Sequence, residues 1–422
     1  MYQNTIEFAR RQDNEDPLRH FRERFFIPQH NDADAVYFTG NSLGLQPKNT
    51  IEFIRQELDD WAALGVLGHT DAHNPWVSYH ESFAPPIARI VGALPEEVVV
   101  MNQLTANLHL LLTSFYWPAA KRFKIICEAK AFPSDLYALD SHVKLHGLDP
   151  KTAIVGLSPA AGDYRLRTHD IISAIREHGD ELALVLMGGV NYYSGEVLDM
   201  EAITAAAHEV GAYAGFDLAH AIGNISLQLH DWKVDFACWC SYKYLNSGPG
   251  GVAGVYIRDD HARNTSLPRL AGWWGTNKQT RFRMEPVFDP IPTAEGWQLS
   301  NSPVLSMAAH KAALQLFEEA GMDALVKKSR QLTGYLFYII DEINTAHGSP
   351  AVQVITPRDA HGCQVSMLML DRGRAVFDAL IDAGVIADWR EPNVIRIAPV
   401  PFYNTFEDVW KFGHIIKTIL DT

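Results

Sequence analysis

Two short segments, each following an apolar run, gather the residue types that nucleophilic chemistry needs. Asp217-Leu-Ala-His220 follows the run Ala212 to Phe216, and Ser241-Tyr242-Lys243-Tyr244-Leu245-Asn246 follows the run Phe236 to Cys240. A lysine at the end of a buried strand can be stripped of water, which frees its amine as a nucleophile. Taken alone, Lys243 could equally be a surface lysine that ends a strand. A carboxylate and an imidazole at the end of the preceding strand turn the balance toward chemistry. An amine paired with a carboxylate suits an aldehyde cofactor. The lysine forms a Schiff base with it, and the acid keeps a ring nitrogen protonated so that the ring can store electrons. Pyridoxal phosphate has this chemistry, with Lys243 as its attachment point and Asp217 as its ring-nitrogen partner.

Two further corners could hold the rest of such a cofactor. Asn102-Gln-Leu104-Thr105-Ala106-Asn107 joins a strand to a helix, and the first amides of that helix plus the Thr105 hydroxyl make an anion site. Helix starts of this kind are also commonly structural. Ala131-Phe132-Pro133-Ser134-Asp135 is a second strand-to-helix corner. Phe132 there could stack on a planar ring, or could be a core aromatic behind an N-cap serine. The glycines Gly248, Gly250, Gly251 and Gly254 imitate a dinucleotide fingerprint, but a strand-like run, Val252 to Ile257, follows where a helix should open. They read as a tight turn beside the cofactor.

Metal chemistry is not expected. His142 and His146, and likewise His69 and His73, have a permissive spacing but no accompanying glutamate and no third ligand. The cysteines Cys127, Cys238, Cys240 and Cys363 form no C-x-x-C pair and sit in apolar runs, as buried free thiols of a reducing compartment do.

The elements that must position these residues alternate. Strands are expected at Val98–Met101, Lys124–Glu128, Ala153–Leu157, Ala183–Met187, Ala212–Phe216 and Phe236–Cys240. Helices are expected at Thr105–Phe115, Ser134–His146, Ile171–His178 and Met200–Val210. This is the pattern of an α/β fold with a mostly parallel sheet and helices on both faces, whose ligands lie beyond the carboxyl ends of the strands. After Pro303 the character changes to long helices, Val304–Ala320 and Met322–Ala346, and then shorter elements. The expected organisation is a large domain over 67–302 and a smaller α/β domain over 303–422, which the N-terminal segment 1–66 joins.

Composition excludes other classes. The 422 residues carry a formal charge of -14, with no Lys/Arg-rich run, so nucleic acid is not an expected partner. No apolar stretch approaches the ~20 residues of a membrane span, and Met1 to Phe26 lacks the apolar core of a signal peptide. A cytoplasmic protein is expected.

Segments along nearly the whole chain resemble the kynureninase family. They are Gly40-Asn-Ser42-Leu-Gly-Leu-Gln-Pro47, Leu104-Thr105, Glu128-Ala-Lys-Ala-Phe132-Pro-Ser-Asp135, Phe216-Asp217-Leu-Ala-His220, Trp239 to Asn246, Gly272-Trp273, Ser300-Asn301 and Ile395-Arg396-Ile-Ala-Pro-Val-Pro401. The resemblance implies pyridoxal-phosphate fold type I and a homodimer with shared active sites. The implied activity is hydrolytic cleavage of L-kynurenine or 3-hydroxy-L-kynurenine. It implies phosphate contacts from Leu104 and Thr105, ring stacking by Phe132 with Pro133, Ser134 and Asp135 beside it, and a contact from His220. Tyr242 resembles a phosphate-contacting proton donor, and Trp273 and Asn301 resemble residues that the partner subunit supplies. Ser42, His69, Ser300 and Asn301 resemble the polar set around the substrate, which favours the 3-hydroxy form, and Arg396 resembles the carboxylate clamp. Gly188 departs from the pattern, because a hydroxyl residue is usual there. The rival readings are a cysteine desulfurase or class V aminotransferase, and a catalytically dead binding module of the same fold. The first needs a cysteine in a mobile loop, whereas Cys363 opens a strand-like run. The second should have lost the lysine or the clamp.

Overall fold

The computed structural model describes residues 2–347 and 350–421. The chain enters through helix α1 (Ile6–Glu15), strand β1 (Val36–Tyr37) and helix α2 (Thr50–Leu64). It then builds β2 (Val98–Val100), α3 (Leu104–Phe115), β3 (Lys124–Glu128), α4 (Pro133–Leu145), β4 (Ile154–Leu157), α5 (Thr168–His178), β5 (Leu182–Gly188), α6 (Met200–Glu209), β6 (Tyr213–Asp217), β7 (Phe236–Trp239) and β8 (Gly254–Ile257). The seven strands form one sheet in the order β2-β8-β7-β6-β5-β3-β4. All run the same way except β8, which pairs antiparallel with both β2 and β7.

The sheet is covered on both faces because its strands are apolar on both. In β5, Val185 and Met187 join one core with Ile171, Ile203 and Phe317, whereas Leu184 and Leu186 join another with Leu108, Leu139 and Val143. Such strands read as continuous apolar runs, so the sequence locates them well. Helices α3, α4 and α5 begin slightly earlier than apolar periodicity suggests, at Leu104, Pro133 and Thr168. The segment expected to open β4 at Ala153 is instead a one-turn helix, Pro150–Ala153, which the Asp149 side chain caps. His69 lies in a short helix, Gly68–Asp71.

The remainder builds a second unit, except that the helix following Pro303 packs through Met307, Leu314 and Phe317 into the core of the large sheet. Helices α7 (Val304–Ala320) and α8 (Met322–Ala346) lead into β9 (Val352–Val354), β10 (Val365–Met369), β11 (Val385–Ile386), β12 (Asp388–Arg390), β13 (Val394–Ile397) and α9 (Phe406–Asp421). An antiparallel sheet of order β9-β10-β13-β12 packs against α8 and α9. The N-terminal segment belongs partly to this unit: β1 pairs parallel with β11, and Phe8, Ala9 and Phe38 enter its core. A buried Lys328–Asp16 ion pair at 2.7 Å fastens the same segment to α8. Among the described residues, no helix is long and apolar enough to cross a membrane.

Sheet topology fixes where chemistry can occur. The chain passes from β3 outward to β4, then returns to the other side of β3 as β5. Helices after β3 and β5 therefore lie on opposite faces, leaving a crevice at the carboxyl ends of these two strands. Glu128 ends β3 and Gly188 ends β5, so both sit at this switch point.

At the other end of the sheet, Asp235 is 1% exposed and accepts bonds from His208, His261 and the Ala214 amide, with Arg258 at 3.0 Å. Burial alone raises its carboxyl, but those hydrogen bonds and the Arg258 charge outweigh burial and bring it to about 2. A depressed carboxyl stabilises the fold above its unfolded value near 4, and that stabilisation is lost as pH falls through about 2. Asp235→Asn is expected to lose about 2 kcal/mol at neutral pH, with the gap closing between about pH 4 and 2. Chemical unfolding of both proteins across that range checks it, and a pH-independent gap would refute it.

Candidate active site

The turn after β7 carries Lys243 into a cavity whose walls come from both units. The wall residues include Ser42, Leu104, Thr105, Phe132, Ser134, Asp135, Gly188, Asp217, His220, Tyr242 and Arg396. The turn is held from outside by the segment Gly40–Pro47. The Gly44 amide donates to the Tyr242 carbonyl at 2.8 Å, and the Asn246 side chain donates to the Leu45 carbonyl at 3.0 Å. A Cβ on Gly44 would lie 2.3 Å from the Lys243 carbonyl oxygen, so only glycine permits this approach. Gly248 and Gly250 have positive φ, as the tight-turn reading expects.

Lys243 Nζ lies 3.0 Å from His220 Nε2 and 5.9 Å from the centre of the Phe132 ring. Burial, then the charges of Lys243, Arg396 and Arg390, push the His220 imidazole far below its usual range. His220 is therefore neutral and accepts from the ammonium. Asp217 ends β6, and its Oδ1 accepts the Ala219 amide at 2.7 Å. Its carboxyl is raised by burial and held back by the Lys243 charge. Asp135 shares a hydrogen bond with Asp217. Burial, and next the Asp217 charge, push Asp135 well above the carboxylate range, so the two carboxyls together favour holding a shared proton. Burial, with Cys240 beside it, raises the Tyr242 phenol, which remains a proton donor at neutral pH.

The helices α3 and α4 begin side by side at the mouth of the cavity. Thr105 Oγ1 and Ser134 Oγ are 2.7 Å apart. Neither first turn has a side-chain cap among the described residues, which leaves amides such as those of Thr105 and Ser134 available to an anion, whereas the Asp135 amide already bonds the Phe132 carbonyl. Pro133 does not line the cavity; it starts α4, where its missing N–H costs nothing. Phe132 is 46% exposed rather than a core aromatic. An amine, a carboxylate beside it, an exposed aromatic face and a two-helix anion cradle fit pyridoxal phosphate.

Arg396 lies on β13 and is 1% exposed. Its guanidinium donates to the Tyr192 carbonyl and to Asp388, its cross-strand neighbour on β12. Its Nε finds no acceptor among the described residues. Asp388 is invisible as a site residue in the sequence, because its relevance comes only from strand register. Glu128, Asn41, Tyr192 and Arg390 also line the cavity, and sequence reasoning assigns none of them a role there. For Glu128 a signal exists, its position at a strand end beside the switch point.

Besides Pro133, four expected site residues do not line this cavity within one chain. His69 is half-buried against Trp76, Trp273 is 47% exposed, and Ser300 and Asn301 are at least partly exposed. Cys363, the thiol that a desulfurase would need, is fully buried, contacts Asn224 Oδ1 at 2.8 Å, and is pushed up to about 12 by burial.

This frame is the fold-type-I architecture of pyridoxal-phosphate enzymes. A cystine C–S lyase bound to cysteine persulfide superposes with a TM-score of 0.77, covering 91% of this chain and 98% of that one at 17% identity. A cysteine desulfurase from Thermococcus onnurineus gives 0.73, covering 92% and 95% at 18% identity. Sequence separates this chain from both. Residues 325–416 match the model of the kynureninase C-terminal domain. A kynureninase of Flavobacterium psychrophilum is 53% identical over 99% of this chain and 98% of its own. That of Myxococcus xanthus is 50% identical over 99% and 97%. The chain belongs to the kynureninase family.

A Cβ built on Gly188 meets Val190 O at 3.4 Å and the Glu128 carboxylate oxygens at 3.6 and 3.7 Å, all ordinary contacts. Gly188→Ser is therefore expected to fold normally and gain about 0.4–1 kcal/mol from a less flexible unfolded chain. Chemical unfolding checks this, and a loss above about 1 kcal/mol would show that the space is filled.

Proposed function

We propose that this chain is a kynureninase that uses pyridoxal phosphate to cleave the Cβ–Cγ bond of L-kynurenine or 3-hydroxy-L-kynurenine with water. The products are L-alanine and anthranilate or 3-hydroxyanthranilate, as in tryptophan catabolism. One observation carries the reading. Lys243, Asp217 and Arg396, far apart in sequence, converge on one cavity in a chain that is 53% identical to a kynureninase over nearly its full length.

Bound pyridoxal phosphate supplies an electron sink for charge released at the substrate Cα. Lys243 is the attachment point and the base that removes the Cα proton. Asp217 would partner the ring nitrogen, and Asp135, hydrogen-bonded to it and raised by burial, would hold Asp217 in place. Leu104, Thr105 and Ser134 would hold the phosphate at the two helix starts, Phe132 would supply a stacking face for the ring, and neutral His220 lies beside the Lys243 amine. Tyr242 supplies the proton that the departing alanine carbon needs. Arg396 binds the α-carboxylate, and Ser42 lies on the same wall. Water adds to the γ-carbonyl, the Cβ–Cγ bond breaks, and the aromatic carboxylate leaves.

A second copy completes the site. Trp273, Ser300 and Asn301 lie at the surface of a chain that also exposes the apolar side chains Leu270, Phe282, Met284 and Val287, which favour burial between subunits. Trp273 and Asn301 would reach the partner's cofactor, and Asn301 with Ser300 and His69 would surround the substrate ring. The division into 1–66, 67–302 and 303–422 draws support from the separate core of the antiparallel sheet, while Phe21 and Phe25 of the first segment and Met307, Phe317 and Phe402 of the last pack with the large sheet. Four buried free thiols favour the cytoplasm.

Lys243→Ala is expected to abolish both anthranilate formation and the visible absorption of lysine-bound cofactor, read by fluorescence and absorbance. Retention of both would overturn the reading. Cys363→Ser is expected to keep kynurenine cleavage within about threefold, since a buried thiol raised to about 12 is no nucleophile. A loss of cleavage accompanied by sulfide release from cysteine in the parent would favour the desulfurase alternative.

A further inference from the structure

Glu128 takes no part in that chemistry, yet it is buried in the wall of the cavity at the switch point. Its two oxygens are both used. Oε2 accepts the Gly188 amide at 2.8 Å, and Oε1 accepts the Asn191 side-chain amide at 3.1 Å. Burial raises this carboxyl and the nearby Asp217 charge adds to the effect, while the two hydrogen bonds oppose it. A buried acid so close to other acids is costly unless its bonds do something.

Those bonds lead to Arg396. Asn191, gripped by Glu128 through its Nδ2, uses its Oδ1 to accept the Tyr193 and Ser194 amides at 3.0 and 2.9 Å. Its backbone closes the same loop, with Asn191 N donating to Glu196 O at 2.8 Å and Gly195 N donating to Asn191 O at 2.9 Å. The loop is therefore a tightly bonded turn, and it carries the Tyr192 carbonyl. That carbonyl accepts from the Arg396 guanidinium, and Gln364 Nε2 steadies it at 3.0 Å. The guanidinium has two supports, Asp388 within its own sheet and the Tyr192 carbonyl from the large unit. The second support fixes its aim relative to Lys243.

We propose that Glu128 and Asn191 are positioning residues that orient Arg396 toward the substrate α-carboxylate through the Tyr192 carbonyl. This rests on the reading of Arg396 as the carboxylate clamp. Specificity for a carboxylate over a neutral group follows from the direction of the Nε–H edge as well as its charge. Loosening the loop by a fraction of an ångström misaims that edge.

The Glu128–Asn191 bond can be inverted while keeping the pair's net charge. In Glu128→Gln, the new amide nitrogen can face the Asn191 Nδ2 donor, and the charge-assisted bond is lost. In Asn191→Asp, two carboxylates meet. In the double variant the new side-chain amide at position 128 donates to one oxygen of the new carboxylate at position 191, whose other oxygen still accepts the loop amides. The test uses holoenzyme with L-kynurenine and its α-carboxamide, and compares kcat/KM for acid over amide. Each single variant is expected to lower that ratio about 10- to 100-fold, mainly through KM of the acid, and the double variant to regain most of it. Binding of L-alanine, followed by the absorption of bound cofactor, should weaken and recover in parallel without turnover.

Single variants that slow acid and amide equally, or a double variant that does not recover, would overturn the proposal. Arg396→Lys separates the two layers. If it lowers the acid-over-amide ratio while the Glu128 and Asn191 variants do not, the clamp stands and the positioning role falls. If it leaves the ratio unchanged, the clamp reading falls and the positioning role with it.

Discussion

Charge buried at the carboxyl ends of parallel strands governs the rest of this structure. Glu128, Asp135 and Asp217 end or follow strands β3 and β6, and burial raises all three. Three like charges in one crevice could not all remain ionised without a compensating cation. Lys243 supplies that cation, and Asp135, pushed well above the carboxylate range beside Asp217, eases the conflict by favouring its protonated form. The compensation only works if Lys243 is delivered to the same point. The tight turn at Gly248 and Gly250 and the close approach of Gly44 are the backbone's means of delivering it.

The second unit brings one guanidinium to that crevice. Arg396 comes from a different sheet, and its burial would be untenable without Asp388 and the Tyr192 carbonyl. Asp388 travels with Arg396 on a neighbouring strand, whereas Tyr192 belongs to the large unit. Contact between the units therefore runs through the same guanidinium that the proposed function assigns to the substrate. The N-terminal segment stabilises the arrangement from behind, with β1 beside β11 and the Lys328–Asp16 pair in a nearly dry setting.

The same frame carries sulfur chemistry in proteins that share less than a fifth of this sequence. What differs lies on the frame. This chain buries Cys363 against Asn224, while it lines the cavity with a phenol, a neutral imidazole and a clamped arginine. Fold sets where a lysine-bound cofactor can sit, and side chains set which bond breaks.

By itself the sequence determined the strand–helix alternation, because strands covered on both faces must be apolar throughout and show as continuous runs. It also pointed to Lys243, Asp217, His220, Thr105 and Phe132, which the fold brings to one cavity, since each lies within a few residues of the end of such a run. Helix starts were legible only to within a turn, because the capping residues precede the apolar periodicity. Tertiary structure alone decided that Asp388 pairs with Arg396, a matter of cross-strand register. It decided that Asp135 hydrogen-bonds Asp217, which requires two loops to meet. It decided, too, that Glu128 grips the loop bearing Tyr192, since β3 and β5 are neighbours only because the chain reverses direction after β4. Trp273, Ser300 and Asn301 mark the remaining boundary. Their residue types were readable, but a single folded chain leaves them exposed, with Trp273 held by the Arg281 carbonyl, Trp274 and Phe282.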